Sequence, residues 1–109
     1  MQRVLGLAGV SDRKHVVFYE DTSGMTASRG VWLLHYLGHN KASILDGGLR
    51  AWKKAGFKTT TEPTPPKPTK FETKIHPELL ATMTDVSRSL NKKTTTLLDV
   101  RSPEEYDGT

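Results

Sequence analysis

The 109-residue sequence contains no cysteine. This absence excludes disulfides, thiolate-bound metal ions and thiol nucleophiles from the chain itself. Long apolar runs are also missing, because no stretch approaches the roughly 20 residues that a membrane-spanning helix needs. The N-terminus has neither a long apolar region nor a small-residue cleavage site, so a signal peptide is not indicated and we expect a cytoplasmic location.

Charge and composition are those of an ordinary soluble domain, for which one core is the default expectation. Sixteen Lys and Arg against twelve Asp and Glu give a net charge of +4. Part of the basic excess surrounds a proline-rich stretch: Lys53, Lys54, Lys58, Lys67, Lys70 and Lys74. No aromatic residues are interleaved there, so a solvated face is favoured and nucleic acid is the weaker hypothesis for a partner.

The first half of the chain predicts alternating helices and strands. Residues 2–8 suit the end of a helix, and residues 15–19 and 42–45 are short apolar runs typical of buried strands. Between these runs, apolar residues at helical spacing predict a helix that ends at Gly38. Asp46 is placed to cap a third helix, which Gly56 ends. Such alternation indicates an α/β fold with a parallel sheet flanked by helices.

Residues 59–70 are rich in threonine, lysine and proline, which indicates an extended linker. Beyond the linker we predict a strand at residues 71–75, a short helix at 83–90 and a buried strand at 96–100. Ser102 and Glu105 match a capping box with proline at the first helical position. The chain stops about one turn later, so we expect this second unit to be incomplete.

Three segments together carry a resemblance to a known family. Residues 16–39 run from Val-Val-Phe-Tyr through Gly-Met-Thr-Ala-Ser-Arg to Leu-Gly-His, and residues 44–56 contain Ile-Leu-Asp-Gly-Gly and Ala-Trp. Residues 97–108 read Leu-Leu-Asp-Val-Arg-Ser-Pro-Glu-Glu-Tyr-Asp-Gly. These segments resemble the active-loop strand and helix, the downstream signature and the domain start of the rhodanese family.

The order of the segments is informative, because the one that resembles a domain end precedes the one that resembles a domain start. A tandem-domain parent explains this order. On that interpretation, residues 1–58 are the C-terminal half of a non-catalytic rhodanese-like domain and residues 59–70 are the linker. Residues 71–109 are then the N-terminal part of a second, catalytic domain, and the rhodanese-like parallel sheet is incomplete in this chain.

The resemblance implies transfer of sulfane sulfur from thiosulfate to a thiophilic acceptor such as cyanide, without a cofactor, through a cysteine persulfide. That cysteine must lie outside this chain, because Asp21 stands at the position of the loop cysteine. The resemblance therefore implies an inactive loop formed by Glu20, Asp21, Thr22, Ser23 and Gly24. We expect Asp21 to accept N–H bonds at the start of the following helix. Expected partners are the remainder of the same protein, or a complementing chain, and a small-molecule sulfur donor.

Three further residues are candidates for interdomain or site-supporting roles. Arg29 suits an interdomain ion pair or a solvated helix position, and a local pair between Asp99 and Arg101 is favoured over substrate contact. The four histidines lack metal-ligand grouping, so no metal site is predicted. The alternative function is a non-catalytic rhodanese-like protein-interaction module.

Overall fold

The computed structural model describes residues 1–109 and contains five α-helices, two β-strands and one 3-10 turn. The elements in chain order are α1 (Gln2–Leu7), β1 (Val16–Phe18), α2 (Met25–Tyr36), β2 (Ala42–Ile44), α3 (Gly48–Lys54), the 3-10 turn (Pro77–Leu79), α4 (Met83–Ser89) and α5 (Pro103–Asp107). Contacts divide the chain into unit 1 (Met1–Leu79) and unit 2 (Leu80–Thr109). None of the helices has the length and apolar character needed to cross a membrane.

The sheet of unit 1 consists of β1 and β2, which run parallel with Val16 opposite Ala42 and Phe18 opposite Ile44. Parallel neighbours need a crossover connection, and α2 supplies it. Both strands lie where the apolar runs at 15–19 and 42–45 predicted them, although each is slightly shorter. The predicted α/β class with a parallel sheet is confirmed.

The core of unit 1 lies on one face of this sheet. Leu34 is 1% exposed and Phe71 is 2% exposed, and Leu37 completes the buried cluster. Val16 and Phe18 pack against it, because alternate residues of a strand point to the same face. Helix α2 therefore contributes its apolar stripe to the core, as its spacing predicted.

Glycines mark both ends of α3 and the end of α2. Gly38 has φ +90° and Gly56 has φ +80°, as expected for residues that follow a helix. The prediction that Asp46 caps α3 is wrong. Gly47 is the N-cap, with φ +69° and no side-chain cap bond, because the chain begins this helix through two left-handed glycines.

Residues 67–79, which we call the strap, pack against the rest of unit 1. Thr69 N–H donates to the Gly6 carbonyl at 2.9 Å, and the Lys74 N–H donates to the Leu37 carbonyl at 2.9 Å. His76 N–H donates to the Tyr36 carbonyl at 2.8 Å. The strand predicted at 71–75 is therefore absent, because this segment satisfies the free carbonyls at the end of α2 instead of pairing with a strand.

The strap also shifts the boundary between the units. Residues 59–70 form no helix or strand. The following residues, however, belong to unit 1 as far as Leu79, since Phe71 completes its core. The assignment of residues 1–58 and 71–109 to two separate rhodanese domains stays a prediction.

Unit 2 is held by local contacts. Capping boxes begin both of its helices: Thr82 with Asp85 at α4, and Ser102 with Glu105 at α5. Both helices were predicted, and the second box was predicted residue by residue. The buried strand predicted at 96–100 is wrong, because this segment pairs with no other strand and leaves Leu98 81% exposed.

Candidate functional site

The loops that follow β1 and β2 border a cavity of about 320 Å³ at the carboxyl end of the sheet. Open parallel sheets place their binding sites at this end. The lining residues are Glu20, Asp21, Thr22, Ser23, Gly24, Ile44, Leu45, Asp46, Gly47, Gly48 and Arg50. All five residues predicted for the inactive loop line this cavity together.

The Glu20 carboxylate accepts hydrogen bonds from residues at the start of α2. It accepts hydrogen bonds from the hydroxyl of Thr22 at 2.9 Å and from the hydroxyl of Thr26. Its other oxygen accepts a long bond of 3.4 Å from the backbone N–H of Ala27. The Thr26 bond is the main reason that the pKa of Glu20 is lowered, and the bonds from Thr22 and Ala27 act in the same direction.

This arrangement corrects the role that we expected of Asp21. The hydrogen bonds at the helix start go to Glu20, while Asp21 lies exposed in the loop. Sequence position alone could not separate two adjacent carboxylates. Thr26 was the overlooked signal, because a hydroxyl in the first turn of a helix can turn back to a preceding side chain.

The loop that follows β2 contacts the loop that follows β1 at Gly48. This residue is buried with φ +60°, and a Cβ atom there would collide with the backbone carbonyl oxygen of Glu20. Gly47, with φ +69°, precedes it. Only glycine adopts this backbone readily and also leaves room for the neighbouring chain.

The electrostatic character of the cavity is acidic. Glu20, Asp21 and Asp46 line it, against the single cation of Arg50. Thr22 and Ser23 offer hydroxyl groups, but no histidine lines the cavity to serve as their base. The cavity has the position of an active site without a nucleophile or a positively charged surface for an anionic substrate.

The structure brings together no group of three or more His, Asp or Glu side chains that could hold a metal ion. Two histidines are engaged in other contacts: His15 with the Ser43 hydroxyl at 2.8 Å, and His76 with Glu78 at 2.8 Å. His39 is buried and lies edge-on to Phe71 with ring centroids 6.0 Å apart.

In unit 2, Asp99 and Arg101 form the local pair that the sequence favoured. The Arg101 guanidinium donates to both carboxylate oxygens, at 3.0 Å from Nε to Oδ1 and 2.7 Å from Nη2 to Oδ2. These bonds lower the pKa of Asp99 to about 2. The guanidinium also lies 5.1 Å from the ring centre of Tyr106. Arg101 is thus fixed from two sides, whereas Arg29 is exposed and forms no ion pair.

Known proteins resemble this chain along nearly its whole length. It is 36% identical over 107 residues to a thiosulfate sulfurtransferase of Bos taurus, and the match covers 96% of this chain and 36% of that protein. A thiosulfate sulfurtransferase of Gallus gallus is 32% identical over 107 residues, covering 96% of this chain and 37% of the relative. A 3-mercaptopyruvate sulfurtransferase of Homo sapiens is 30% identical over 106 residues, covering 95% and 36%.

The chain thus spans little more than a third of the length of these curated relatives. The sequence model of the Rhodanese-like domain matches residues 1–55, which hold both strands, the cavity and nearly all of the first predicted domain. Together with the partial α/β fold and the position of the cavity, these matches show that the chain belongs to the rhodanese family.

Proposed function

We propose that these residues are part of a sulfurtransferase with two rhodanese-like domains. Residues 1–58 form the C-terminal half of its non-catalytic domain, residues 59–70 the linker, and residues 71–109 the beginning of its catalytic domain. The relatives named as thiosulfate and 3-mercaptopyruvate sulfurtransferases support sulfur transfer as the chemistry. The remainder of the same polypeptide is the expected partner of these residues.

In the proposed reaction a cysteine thiolate outside this chain attacks the sulfane sulfur of thiosulfate. The sulfur–sulfur bond breaks, sulfite leaves with the bonding electron pair, and a cysteine persulfide remains. Cyanide carbon then attacks the outer sulfur, thiocyanate leaves, and the thiolate is restored. Such a thiolate requires a lowered pKa, which backbone N–H groups and a helix N-terminus provide.

The observation that carries the proposal is the acidic loop of unit 1. The position that would offer a thiol holds Asp21, and two donors at the start of α2, the Thr26 hydroxyl and the Ala27 N–H, bond to Glu20. Carboxylates here repel an anionic sulfur donor and cannot carry sulfane sulfur. This arrangement supports a structural role for the first domain and a catalytic cysteine elsewhere.

The test compares the 109-residue chain with a longer polypeptide that contains it. We expect thiocyanate formation from thiosulfate and cyanide only with the longer polypeptide, and its loss when the loop cysteine of that polypeptide is replaced by serine. 3-Mercaptopyruvate serves as the second donor, given the relatives that bear that name. Turnover by the 109-residue chain, or none by the longer polypeptide with either donor, would contradict the proposal.

A matched variant addresses the loop directly. Asp21→Cys in the 109-residue chain restores a thiol, but its neighbour Glu20 keeps the hydroxyl donors of Thr22 and Thr26. We expect no useful transfer of sulfur by this variant. Robust thiocyanate production would show that a thiol was the only missing part.

The alternative, a non-catalytic interaction module, fits the same acidic loop. It predicts that the protein carrying these residues binds a defined protein partner and never forms a persulfide. Persulfide detection by mass spectrometry after incubation with thiosulfate separates the two functions, because only the sulfurtransferase gains the mass of one sulfur atom.

A further inference from the structure

The strap lies in a groove formed by residues 2–10 and 34–39, which we call the strap groove. The three backbone hydrogen bonds described above join N–H groups of the strap to carbonyls of these two stretches. The Thr69 hydroxyl also donates to the Val10 carbonyl. Phe71 is the only buried residue of the strap. The strap groove therefore holds the strap mainly by its backbone, with one aromatic side chain as an anchor.

Two glycines allow the backbone of the strap to approach the strap groove closely. A Cβ atom on Gly6 would lie 2.6 Å from the Thr69 carbonyl oxygen. A Cβ atom on Gly38 would lie 2.5 Å from the Lys74 carbonyl oxygen. Both distances are too short for a non-bonded contact, so a side chain at either position would displace the strap. The strap groove is thus shaped to accept the backbone of a peptide segment.

The chain between α3 and the strap forms no hydrogen bond to another element. Residues 59–66, which we call the connector, are all exposed. The hydrogen bond within the connector is local, from the Glu62 N–H to the Thr60 hydroxyl at 3.0 Å. Three of its eight residues are prolines, which favour a stiff, extended chain. The connector therefore does not by itself hold the strap against its own copy.

The connector passes from one face of the sheet to the other. Val16 and Phe18 point to the core face, where the strap lies, so Val17 points to the opposite face. Helix α3 lies on that opposite face, where Trp52 lines a cavity together with Val17. Eight extended residues span about 25 Å, compared with about 10 Å between packed layers. The connector is therefore long enough to deliver the strap to a neighbouring molecule.

We propose that the strap groove binds the strap of a second copy of this chain, so that two copies exchange straps and form a dimer. Exchange keeps every contact of the strap, because the second copy presents the same groove, and this makes exchange of an identical element a favourable route to dimers. A cavity of about 430 Å³ between α1 and the strap shows that the strap is loosely packed along part of its length. The proposal concerns residues 1–79 alone and does not depend on sulfur transfer.

Trapping with a short bismaleimide tests the proposal, because the chain has no cysteine that would react elsewhere. The Thr73 hydroxyl lies 3.4 Å from the side-chain oxygen of Gln2, so these two positions mark the strap and the strap groove. Gln2→Cys and Thr73→Cys are placed on separate copies of the 109-residue chain, which are mixed in urea and refolded together. We expect links between positions 2 and 73 to exceed links between like positions by about tenfold or more, since the exchanged strap holds the two thiols together.

Gly6→Ala in the copy that carries Gln2→Cys provides the matched comparison. The added methyl group obstructs the strap groove at the Thr69 carbonyl but leaves α1 able to form, because alanine is favoured in helices. We expect the links between positions 2 and 73 to fall by about tenfold or more. Val4→Ala, at a 62% exposed position of the same helix, should retain them.

Light scattering of the unsubstituted chain requires no variant to fold, and we expect a dimer whose fraction rises with concentration. A chain that remains monomeric from micromolar to millimolar concentration would overturn the proposal. So would a dimer in which links between positions 2 and 73 are no more frequent than links between like positions, because another surface would then join the copies. Equal links in Gly6→Ala and Val4→Ala would show that the strap groove is not the site of exchange.

Discussion

Unit 1 and unit 2 are built on different kinds of contact. Unit 1 has a buried cluster of Leu34, Leu37 and Phe71, whose members come from a helix, its end and the strap. Unit 2 buries no residue and depends on capping boxes that join residues three positions apart. Short-range signals therefore suffice to begin a helix, while a core requires chain segments that are distant in sequence.

The difference predicts opposite responses to mutation in the two units. Core residues of unit 1 should control its unfolding, and changes to the exposed apolar residues of unit 2 should have little effect. Both tryptophans, Trp32 and Trp52, lie in unit 1, so their fluorescence reports on that unit.

The largest effect is expected for Leu34→Ala. Leu34 is 1% exposed, and truncation of such a leucine costs about 2–5 kcal/mol of unfolding free energy through lost burial and a residual cavity. Urea unfolding followed by tryptophan fluorescence measures the loss. Leu98→Ala, at an 81% exposed position, is the control and should stay within about 0.5 kcal/mol. Equal losses for both variants would erase the distinction between the units.

Gly38→Ala tests the attachment of the strap. An alanine at φ +90° costs about 1–2 kcal/mol, and its Cβ would also lie 2.5 Å from the Lys74 carbonyl oxygen. Gly56→Ala is a matched control, because Gly56 has φ +80° with no atom near the added Cβ. Urea unfolding should show a greater loss for Gly38→Ala, together with faster amide exchange at Lys74 and His76. Equal losses would mean that the strap does not constrain this position.

Thr82→Ala removes the cap of α4 in unit 2. Loss of a threonine cap costs about 1 kcal/mol, and α4 has no buried contact to compensate. Backbone NMR shifts should show lower helicity in Met83–Ser89, with the tryptophan fluorescence of unit 1 unchanged. Thr96→Ala, at an exposed position outside any helix, should leave α4 intact. Unchanged helicity in Thr82→Ala would indicate that α4 is held by something other than its cap.

The smallest effect concerns the pH dependence of the Asp99–Arg101 pair. The pKa of Asp99 in the folded chain is lowered from 3.8 to about 2, so the pair contributes its stabilisation above pH 3.8 and loses it as pH falls through about 2. NMR titration of the Asp99 carboxyl carbon measures the midpoint. Arg101→Gln should move the midpoint back towards 3.8. A midpoint that is the same in both proteins would show that the guanidinium is not the cause.

The predictable parts of the fold are those with local causes. The spacing in α2, the left-handed Gly38 and the capping box of Ser102 with Glu105 depend on neighbouring residues, and the sequence revealed all of them. The strands predicted at 71–75 and 96–100 have suitable side chains but no adjacent strand. Strand formation depends on a partner, which a local pattern cannot supply.

In the candidate site too, the features with local causes were predictable and those that depend on distant residues were not. The sequence placed the loop of residues 20–24 correctly at the end of β1. It could not assign the capping role to Glu20 rather than Asp21, since that choice depends on the side chain of Thr26 six positions later. Nor did it predict that Arg50 would line the same cavity, because that proximity follows from the pairing of β1 with β2.

The close contact between Gly48 and the carbonyl oxygen of Glu20 limits which substitutions the loops around the cavity can accept. A side chain at position 48 would collide with the backbone of Glu20. The loops after β1 and β2 can therefore keep their present backbone path only with glycine at that position. Asp21, Thr22 and Ser23 are exposed and free of that constraint. Substitutions at these three positions therefore change the groups that line the cavity without such a collision, whereas an added methyl group at position 48 would force the two loops apart.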